Sequence, residues 1–183
     1  MALHADRLFC TWTYRASMPP SLRNAFGDLD QLLRDVAASA KSSLIIVAPY
    51  LSASGIRGLI NSVAVAANAG ASVRLITGDL DADQSRNRKA VRELLMGEFG
   101  GVIRPHLRVL TNSPTFPALL HAKLVIADGR RGYLGSANVS WHGMESNLEI
   151  GVELPAQQAG VLDALFAFLE SSGALVEIAT HDI

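Results

Sequence analysis

The chain has 183 residues, which is the usual length of a single domain, and a formal net charge of −1. Hydrophobic residues make up 49% of it, enough for a sizeable core, and no apolar run approaches the ~20 residues that span a bilayer. The near-zero charge excludes a protein that holds nucleic acid through bulk charge, so such contacts depend on local clusters. The single cysteine, Cys10, excludes an intrachain disulfide and a cysteine-based zinc finger.

Helices and strands alternate along the first half of the chain. We expect residues 1–20 to form an irregular arm and residues 21–183 to form one domain. The opening residues show no signal-peptide pattern, which predicts a cytoplasmic protein. Alternation of this kind implies βαβ crossovers and parallel strands. The predicted elements are a helix over 21–42, a strand over 44–48, a helix over 54–68, a strand over 72–77, a helix over 82–98 and a strand over 106–110.

The second half begins with apolar segments joined by short turns, which is typical of antiparallel strands. Strands are predicted over 120–127, 132–135 and 146–154, followed by a helix over 157–169 and a short strand over 175–178. The two halves together predict an α/β fold with a mixed, largely parallel sheet that is flanked by helices on both faces.

The strand predicted over 120–127 begins a spaced motif, H-x-K-x4-D-x6-G-S-x-N. Side chains two residues apart on a strand share a face, so His121 and Lys123 are expected to point the same way. Asp128 has the opposite parity and stands at the strand end, where a structural or orienting task suits it better than contact with substrate. The motif therefore predicts one face that carries an imidazole beside an ammonium group.

Small polar residues follow at the end of the next strand. Gly135 allows close backbone approach, while Ser136 and Asn138 are hydrogen-bond donors that form either an anion site or simply a turn or helix cap. The strand over 146–154 alternates, with Glu149 on its polar face. If that strand lies beside the strand of His121, Glu149 can reach the imidazole, fix its tautomer and favour the imidazolium.

These residue types suit attack on a phosphodiester without a metal ion or another cofactor. A neutral imidazole can attack phosphorus and form a phosphohistidine, and a second imidazolium can protonate the leaving oxygen. Lys123, Ser136 and Asn138 would hold the non-bridging oxygens, and Lys123 supplies the positive charge. Because the motif occurs once, this chemistry predicts a homodimer in which two copies of the histidine meet across a two-fold axis.

The motif resembles the HKD motif of the phospholipase D superfamily, and the likeness extends to Asn147 and Glu149. Larger members of the superfamily usually carry two such motifs, whereas this chain carries one and resembles the bacterial endonuclease branch, in which two subunits build one site. The resemblance implies the nucleophile His121, the phosphate ligands Lys123, Ser136 and Asn138, the supporting Asp128, and Glu149 as the acid that steadies the histidine.

The same residues allow three other interpretations: a metal site, a serine hydrolase and a core histidine. A metal site built from His121, Asp128 and Glu149 would place Lys123 where it repels the cation, and Ser136 lacks the G-x-S-x-G elbow of a serine hydrolase. Taken alone, the histidine would more often be a buried core residue.

Several other side chains could serve a nucleic-acid substrate. Trp141 is expected either to stack on a base or to pack in the core or the dimer seam, and His142 to lie at the surface. The cations that could contact phosphate are Arg86, Arg88, Lys89, Arg92, Arg104, Arg108, Arg130 and Arg131, with a solvated helix face as the alternative for the first four.

Three functions compete. The leading hypothesis is a homodimeric phosphodiesterase that cleaves DNA or RNA. The second is a subunit that binds phosphate or nucleic acid beside a helicase or ATPase, with weak or no hydrolysis. In its favour, Trp12-Thr13-Tyr14 and the long helix that follows resemble the phospholipase D-like component of the phage-defence system DISARM. The third is a phospholipase or phosphatidyl transferase.

Overall fold

In this computed structural model, which describes residues 8–11, 18–80, 85–115 and 120–183, nine strands form one sheet. The strands are β1 (Leu8–Thr11), β2 (Phe26–Asp28), β3 (Ser43–Val47), β4 (Ser72–Ile76), β5 (Leu107–Asn112), β6 (Leu124–Ala127), β7 (Arg131–Gly135), β8 (Glu149–Leu154) and β9 (Leu175–Ile178). The helices are α1 (Pro20–Ala25), α2 (Leu29–Ser39), α3 (Ala53–Asn68), α4 (Arg86–Met96), α5 (Gly100–Ile103) and α6 (Ala156–Ser171). The strands lie in the order β2-β1-β8-β7-β6-β3-β4-β5-β9.

The predicted fold class, a mixed sheet with helices on both faces, is confirmed. Buried side chains of α2, α3 and α4 pack on one face against Ile46 and Val125, while Phe166 of α6 packs on the other face against Ile45 and Ile126. Parallel pairing is less extensive than predicted. Among the described strands, β1–β2, β3–β4 and β4–β5 pair in parallel, and the other five pairings are antiparallel.

Two predictions for the first 42 residues are wrong. Residues 8–11, predicted to be irregular, form β1, which pairs with β2 and β8. The helix predicted over 21–42 is interrupted by β2, where the Phe9 ring packs so closely on Gly27 that a Cβ there would lie 2.4 Å from it. Asp28 then caps α2 by accepting a hydrogen bond from the Gln31 N–H at 3.1 Å. Residues 12–14, on which the DISARM resemblance depends, lie outside the described residues.

Most other elements occur close to their predicted limits, but two differ where the site lies. The strand predicted over 120–127 begins only at Leu124. One further hydrogen bond to the neighbouring strand precedes it, in which the Gly135 N–H donates to the Lys123 carbonyl at 3.2 Å. The strand predicted over 146–154 begins at Glu149, after a π-helical turn over His142–Ser146. No helix in the described part of the chain is both long enough and apolar enough to cross a bilayer.

Asp128 ties the end of β6 to the start of β3. Its carboxylate accepts hydrogen bonds from the backbone N–H groups of Lys41, Ser42 and Ser43 and from the Ser42 hydroxyl, at 2.8–3.2 Å. Its φ of +55° lies in the left-handed region, which Asp and Asn tolerate better than most residues. Burial alone would raise the pKa of this carboxyl, but the four donors outweigh it and lower the pKa to about 2.

Replacing Asp128 should cost stability in a pH-dependent way. Asp128→Ala leaves three N–H groups without their acceptor in a left-handed turn, so we expect the free energy of unfolding to fall by about 1–3 kcal/mol near pH 7. Asp128→Asn keeps one acceptor oxygen and the backbone preference, and should lose less. Urea unfolding of the purified variants measures both losses.

The pH dependence follows from the lowered pKa. Because the folded-state pKa lies below the ordinary 3.8, the carboxylate stabilises the fold above that value, and this contribution disappears as the pH falls towards 2. The difference between wild type and Asp128→Asn should therefore shrink over that window. An Asp128→Ala variant as stable as wild type near pH 7 would contradict the assigned role.

Candidate active site

Three strand ends meet at one end of the sheet and carry most of the predicted site residues. Because β6 and β7 run antiparallel, and β7 and β8 likewise, the end of β7 lies with the beginnings of β6 and β8. His121 and Lys123 precede β6, and Ser136 and Asn138 follow β7. Glu149 opens β8. The fold therefore brings five of the predicted residues to the same end of the sheet.

The His121 ring and the Lys123 ammonium are in contact. Lys123 Nζ lies 3.0 Å from Nδ1 and 3.3 Å from Nε2 of the ring, and it donates to the His121 carbonyl oxygen at 2.9 Å. Burial lowers the pKa of Lys123 below its ordinary value, and the negative charge of Glu149 partly offsets this. An anion in this site would give the ammonium a charged acceptor, which binds it more strongly than a neutral imidazole does.

Glu149 acts on Ser136 rather than directly on His121. The predicted contact with the histidine required β8 to lie beside β6, and this is wrong because β7 lies between them. Two strand spacings amount to about 9–10 Å. The Glu149 carboxylate instead accepts hydrogen bonds from the Ser136 hydroxyl and from Nδ2 of Asn147, the latter at 3.3 Å. Glu149 affects the His121–Lys123 pair only through its negative charge, which attracts Lys123.

The loop after β7 is held against the beginning of α3. Asn138 Oδ1 accepts a hydrogen bond from the Tyr50 N–H at 3.3 Å, and the Ser52 hydroxyl accepts one from the Trp141 N–H at 2.9 Å. Gly55 lies so close to this loop that a Cβ there would be 2.5 Å from backbone atoms of Val139 and its neighbour. With its amide oxygen engaged, Asn138 has its NH2 group to offer to an anion.

Tyr133 is a supporting residue that sequence reasoning missed. Its buried ring lies across Gly135 and Gly151, where a Cβ would come 2.4 Å from the hydroxyl oxygen and 2.3 Å from a ring carbon respectively. The hydroxyl oxygen accepts a hydrogen bond from the Ala137 N–H at 3.1 Å, and burial raises the pKa of Tyr133. Tyr133 therefore shapes the turn between Ser136 and Asn138. A tyrosine that packs over two glycines indicates such a role, but this packing can be recognised only once the strand register is known.

Two more buried polar side chains position neighbouring segments. Thr11 donates to the Asn147 carbonyl at 2.8 Å and accepts from the Glu149 N–H at 3.0 Å. Asn87 donates to the Pro49 carbonyl and accepts from the Leu51 N–H, both at 2.7 Å. The first therefore sets the start of β8, and the second holds the β3–α3 loop. Sequence patterns gave no sign of either role, since both contacts join segments that are distant along the chain.

Asp128 lies away from this end of the sheet, and most of the candidate cations are engaged within the chain. Asp128 stands at the opposite end of β6 from His121, about 20 Å along the strand direction. Five of the arginines are engaged within the chain: Arg88 and Arg92 with the carbonyls of residues 182 and 183, Arg104 with that of residue 95, Arg108 with Glu170 and Glu177, and Arg131 with Glu153. In the described ranges, no three or more His, Cys, Asp or Glu side chains are grouped to hold a metal ion.

A family comparison matches most of the chain. The model of the family described as cardiolipin synthase, phospholipase D-like domain, matches residues 33–168. No curated protein matches the chain by sequence. The family match spans the candidate site from the residues before β6 to the start of β8.

Solved structures share the fold at low sequence identity. Nuc from Salmonella typhimurium, a phospholipase D family member, has a TM-score of 0.66 and 16% identity, over 96% of this chain and 99% of Nuc. NucT from Helicobacter pylori has a TM-score of 0.62 and 18% identity, over 95% and 99% of the two chains. The phosphatidylserine synthase of Haemophilus influenzae has a TM-score of 0.59 and 18% identity, over 82% of this chain but 36% of the synthase.

Removing the Tyr133 hydroxyl should loosen the turn after β7. Tyr133→Phe keeps the ring over the two glycines but leaves the Ala137 N–H without its acceptor, so we expect the free energy of unfolding to fall by about 1–3 kcal/mol. Denaturant unfolding measures this loss. The matched control is Tyr50→Phe, which removes an exposed hydroxyl and should change stability by less than about 0.5 kcal/mol. Equal stability of the two variants would contradict the role of Tyr133.

Proposed function

Since this chain belongs to the phospholipase D superfamily, we propose that it hydrolyses phosphodiester bonds of DNA or RNA at a site shared by two copies of the chain. The observation that carries the proposal is the contact of His121 with Lys123, at the sheet end where Ser136, Asn138 and Glu149 also lie. This chain covers 99% of Nuc and of NucT but 36% of the phosphatidylserine synthase, which favours a reaction of the Nuc type over that of the lipid enzyme.

The proposed reaction has two steps, and each conserves protons. In the first, a neutral His121 nitrogen attacks phosphorus, the N–P bond forms, and the P–O bond to the leaving group breaks. The imidazolium of the second copy's His121 gives its proton to the leaving oxygen. In the second step that imidazole, now neutral, takes a proton from a water molecule, which attacks phosphorus. The N–P bond then breaks, a phosphate monoester leaves, and both rings return to their starting states.

The chain's own donors would stabilise the charge that develops on the phosphate. Lys123 would turn from the His121 carbonyl to a non-bridging oxygen, which is a stronger, charged acceptor. The NH2 group of Asn138 would donate to the same group, and so would the Ser136 hydroxyl once its single proton turns from Glu149 to the phosphate. Glu149, which accepts from the Ser136 hydroxyl in this structure, holds that side chain in place before the anion arrives.

An exposed apolar face supports the pairing of two copies. On α6, Val161, Leu165 and Phe168 recur at helical spacing and are 66%, 44% and 62% exposed. Leu134 and Ile150, on β7 and β8, are exposed next to the residues that form the site. Contiguous apolar surface of this kind marks interaction sites. A second copy packed on this face about a two-fold axis would cover it and supply the second imidazole.

Hydrolysis should persist in EDTA and depend on His121. We expect wild type to cleave labelled DNA or RNA in the presence of the chelator. His121→Ala should reduce the rate by a factor on the order of 10³ or more, and Lys123→Ala by about 10²–10³. Gel analysis of single- and double-stranded substrates measures the rates. The control is Lys41→Ala, which removes an exposed ammonium group at the opposite end of the sheet and should retain activity.

Other outcomes of this digest would favour the competing functions. Binding of nucleic acid with no turnover of any phosphodiester would favour a non-cleaving subunit. Release of phosphatidic acid from phospholipid vesicles, with nucleic acid left intact, would favour a lipid enzyme. Loss of hydrolysis in EDTA that returns with added Mg²⁺ would contradict the metal-independent reaction.

A shared site makes a quantitative prediction for mixed subunits. When equal amounts of wild type and His121→Ala exchange subunits, about one quarter of the dimers carry two histidines, so activity should fall to about one quarter of that of undiluted wild-type protein. Independent sites would leave about one half. Rates measured after exchange at a constant total concentration distinguish these values, and one half would contradict the shared site.

Charged variants test which surface joins the copies. Phe168→Asp should lower the dimer fraction in sedimentation and reduce activity at low protein concentration, because burying an unpaired charge opposes association. Met96→Asp introduces the same charge at an exposed apolar position outside this face and should change neither. A strict monomer in wild type at micromolar concentration would contradict the assembly altogether.

A further inference from the structure

We propose that a groove beside the motif holds an unpaired nucleobase next to the bound phosphate, so that the substrate is single-stranded or locally unpaired nucleic acid. This inference rests on the proposed function and narrows its substrate. The groove has a volume of about 790 Å³ and lies between the β3–α3 loop, the start of α4 and the π-helical turn. Asn138 and Glu149 of the candidate site form part of its wall, so a nucleotide held at the phosphate site would extend into it.

Two exposed aromatic rings line this groove. Tyr50 is 57% exposed and Trp141 is 45% exposed. The Tyr50 ring meets the His121 ring edge-on, with centroids 6.2 Å apart, so it stands between the proposed nucleophile and the groove. Exposed aromatic rings along a nucleic-acid path serve as platforms on which unpaired bases stack. The two rings thus offer stacking surface in a groove whose wall includes Asn138 and Glu149 of the candidate site.

The backbone that carries these rings is held firmly. The β3–α3 loop is anchored by the buried Asn87, and its Tyr50 N–H donates to the side chain of Asn138. The Trp141 N–H donates to the Ser52 hydroxyl, at the start of the π-helical turn over residues 142–146. Such turns are rare and occur often at functional sites. The groove is therefore pre-formed, which reduces the entropy lost on binding a flexible strand.

The other lining residues favour a nucleobase over an acyl chain. Among the described residues that line the groove, the aliphatic side chain is that of Leu51, and it is itself buried. Asp79, Asn138 and Glu149 bring hydrogen-bonding groups. The carboxylates of Asp79 and Glu149 disfavour a phosphate inside the groove but can accept hydrogen bonds from the N–H groups of bases. Arg86, exposed at the start of α4, can pair with the next phosphate of the strand. A paired base inside a duplex cannot present its face in this way, which is why unpaired substrate is required.

The test compares a substrate that has bases with one that lacks them. In a His121→Ala background, which prevents cleavage, we would measure by fluorescence anisotropy the binding of a dT12 oligonucleotide and of an abasic tetrahydrofuran oligomer of the same length. Trp141→Ala should weaken dT12 binding about ten-fold, the usual effect of losing one stacked base, and change abasic binding less than about two-fold. Trp141→Phe should recover most of the dT12 affinity. Met96→Ala, which shortens an exposed side chain outside the groove, should leave both affinities unchanged.

The outcomes separate this inference from the proposed function. Equal effects of Trp141→Ala on both oligomers, or tighter binding of duplex than of dT12, would overturn the inference even if wild type cleaves nucleic acid. Conversely, base-dependent binding with no cleavage by wild type would overturn the reaction and retain the groove. Folding of Trp141→Ala is checked by its Tm, and Trp141→Phe provides the comparison if the alanine variant unfolds.

Discussion

The site depends on the register of β7 between β6 and β8. Gly135 donates its N–H to the carbonyl of Lys123 on one side and pairs with Gly151 on the other. A slip of one residue would turn every side chain of β7 to the opposite face, so Tyr133 would leave the glycines over which it packs. The residues of the candidate site are therefore placed by the sheet, and the loops that carry them begin from backbone already fixed by hydrogen bonds.

At this end of the sheet, the positive charge of Lys123 and the negative charge of Glu149 attract each other without forming an ion pair. Lys123 is partly buried, and burial lowers its pKa, while Glu149 two strands away attracts it without an ion pair. An ammonium held in this way is available to an anion, because no carboxylate has to be displaced first. The carboxylate meanwhile binds the Ser136 hydroxyl and the side chain of Asn147. An ion pair between Lys123 and Glu149 would have occupied the ammonium group that the proposed reaction offers to the phosphate.

Local patterns in the sequence predicted that the side chains of His121 and Lys123 lie together, and they are in contact, although both residues precede β6 rather than belong to it. They could not predict strand order, and so the expected contact of Glu149 with the histidine was wrong. The break between α1 and α2 was missed because apolar spacing continues through Gly27, where the deciding contact comes from Phe9 on another strand. Thr11, Asn87 and Tyr133 were missed for the same reason: each acts across the sheet or between segments distant in sequence.

The shape of the groove depends on the π-helical turn over residues 142–146, which a change of one residue in length would alter. One residue fewer in such a turn restores an ordinary α-helical turn and rotates the preceding side chain by about 100° about the helix axis. Trp141 would swing away, while β7 and β8 on either side would keep their pairing. Deleting one residue of this turn would thus reshape the groove without altering the strands that hold His121, Lys123 and Ser136 in place.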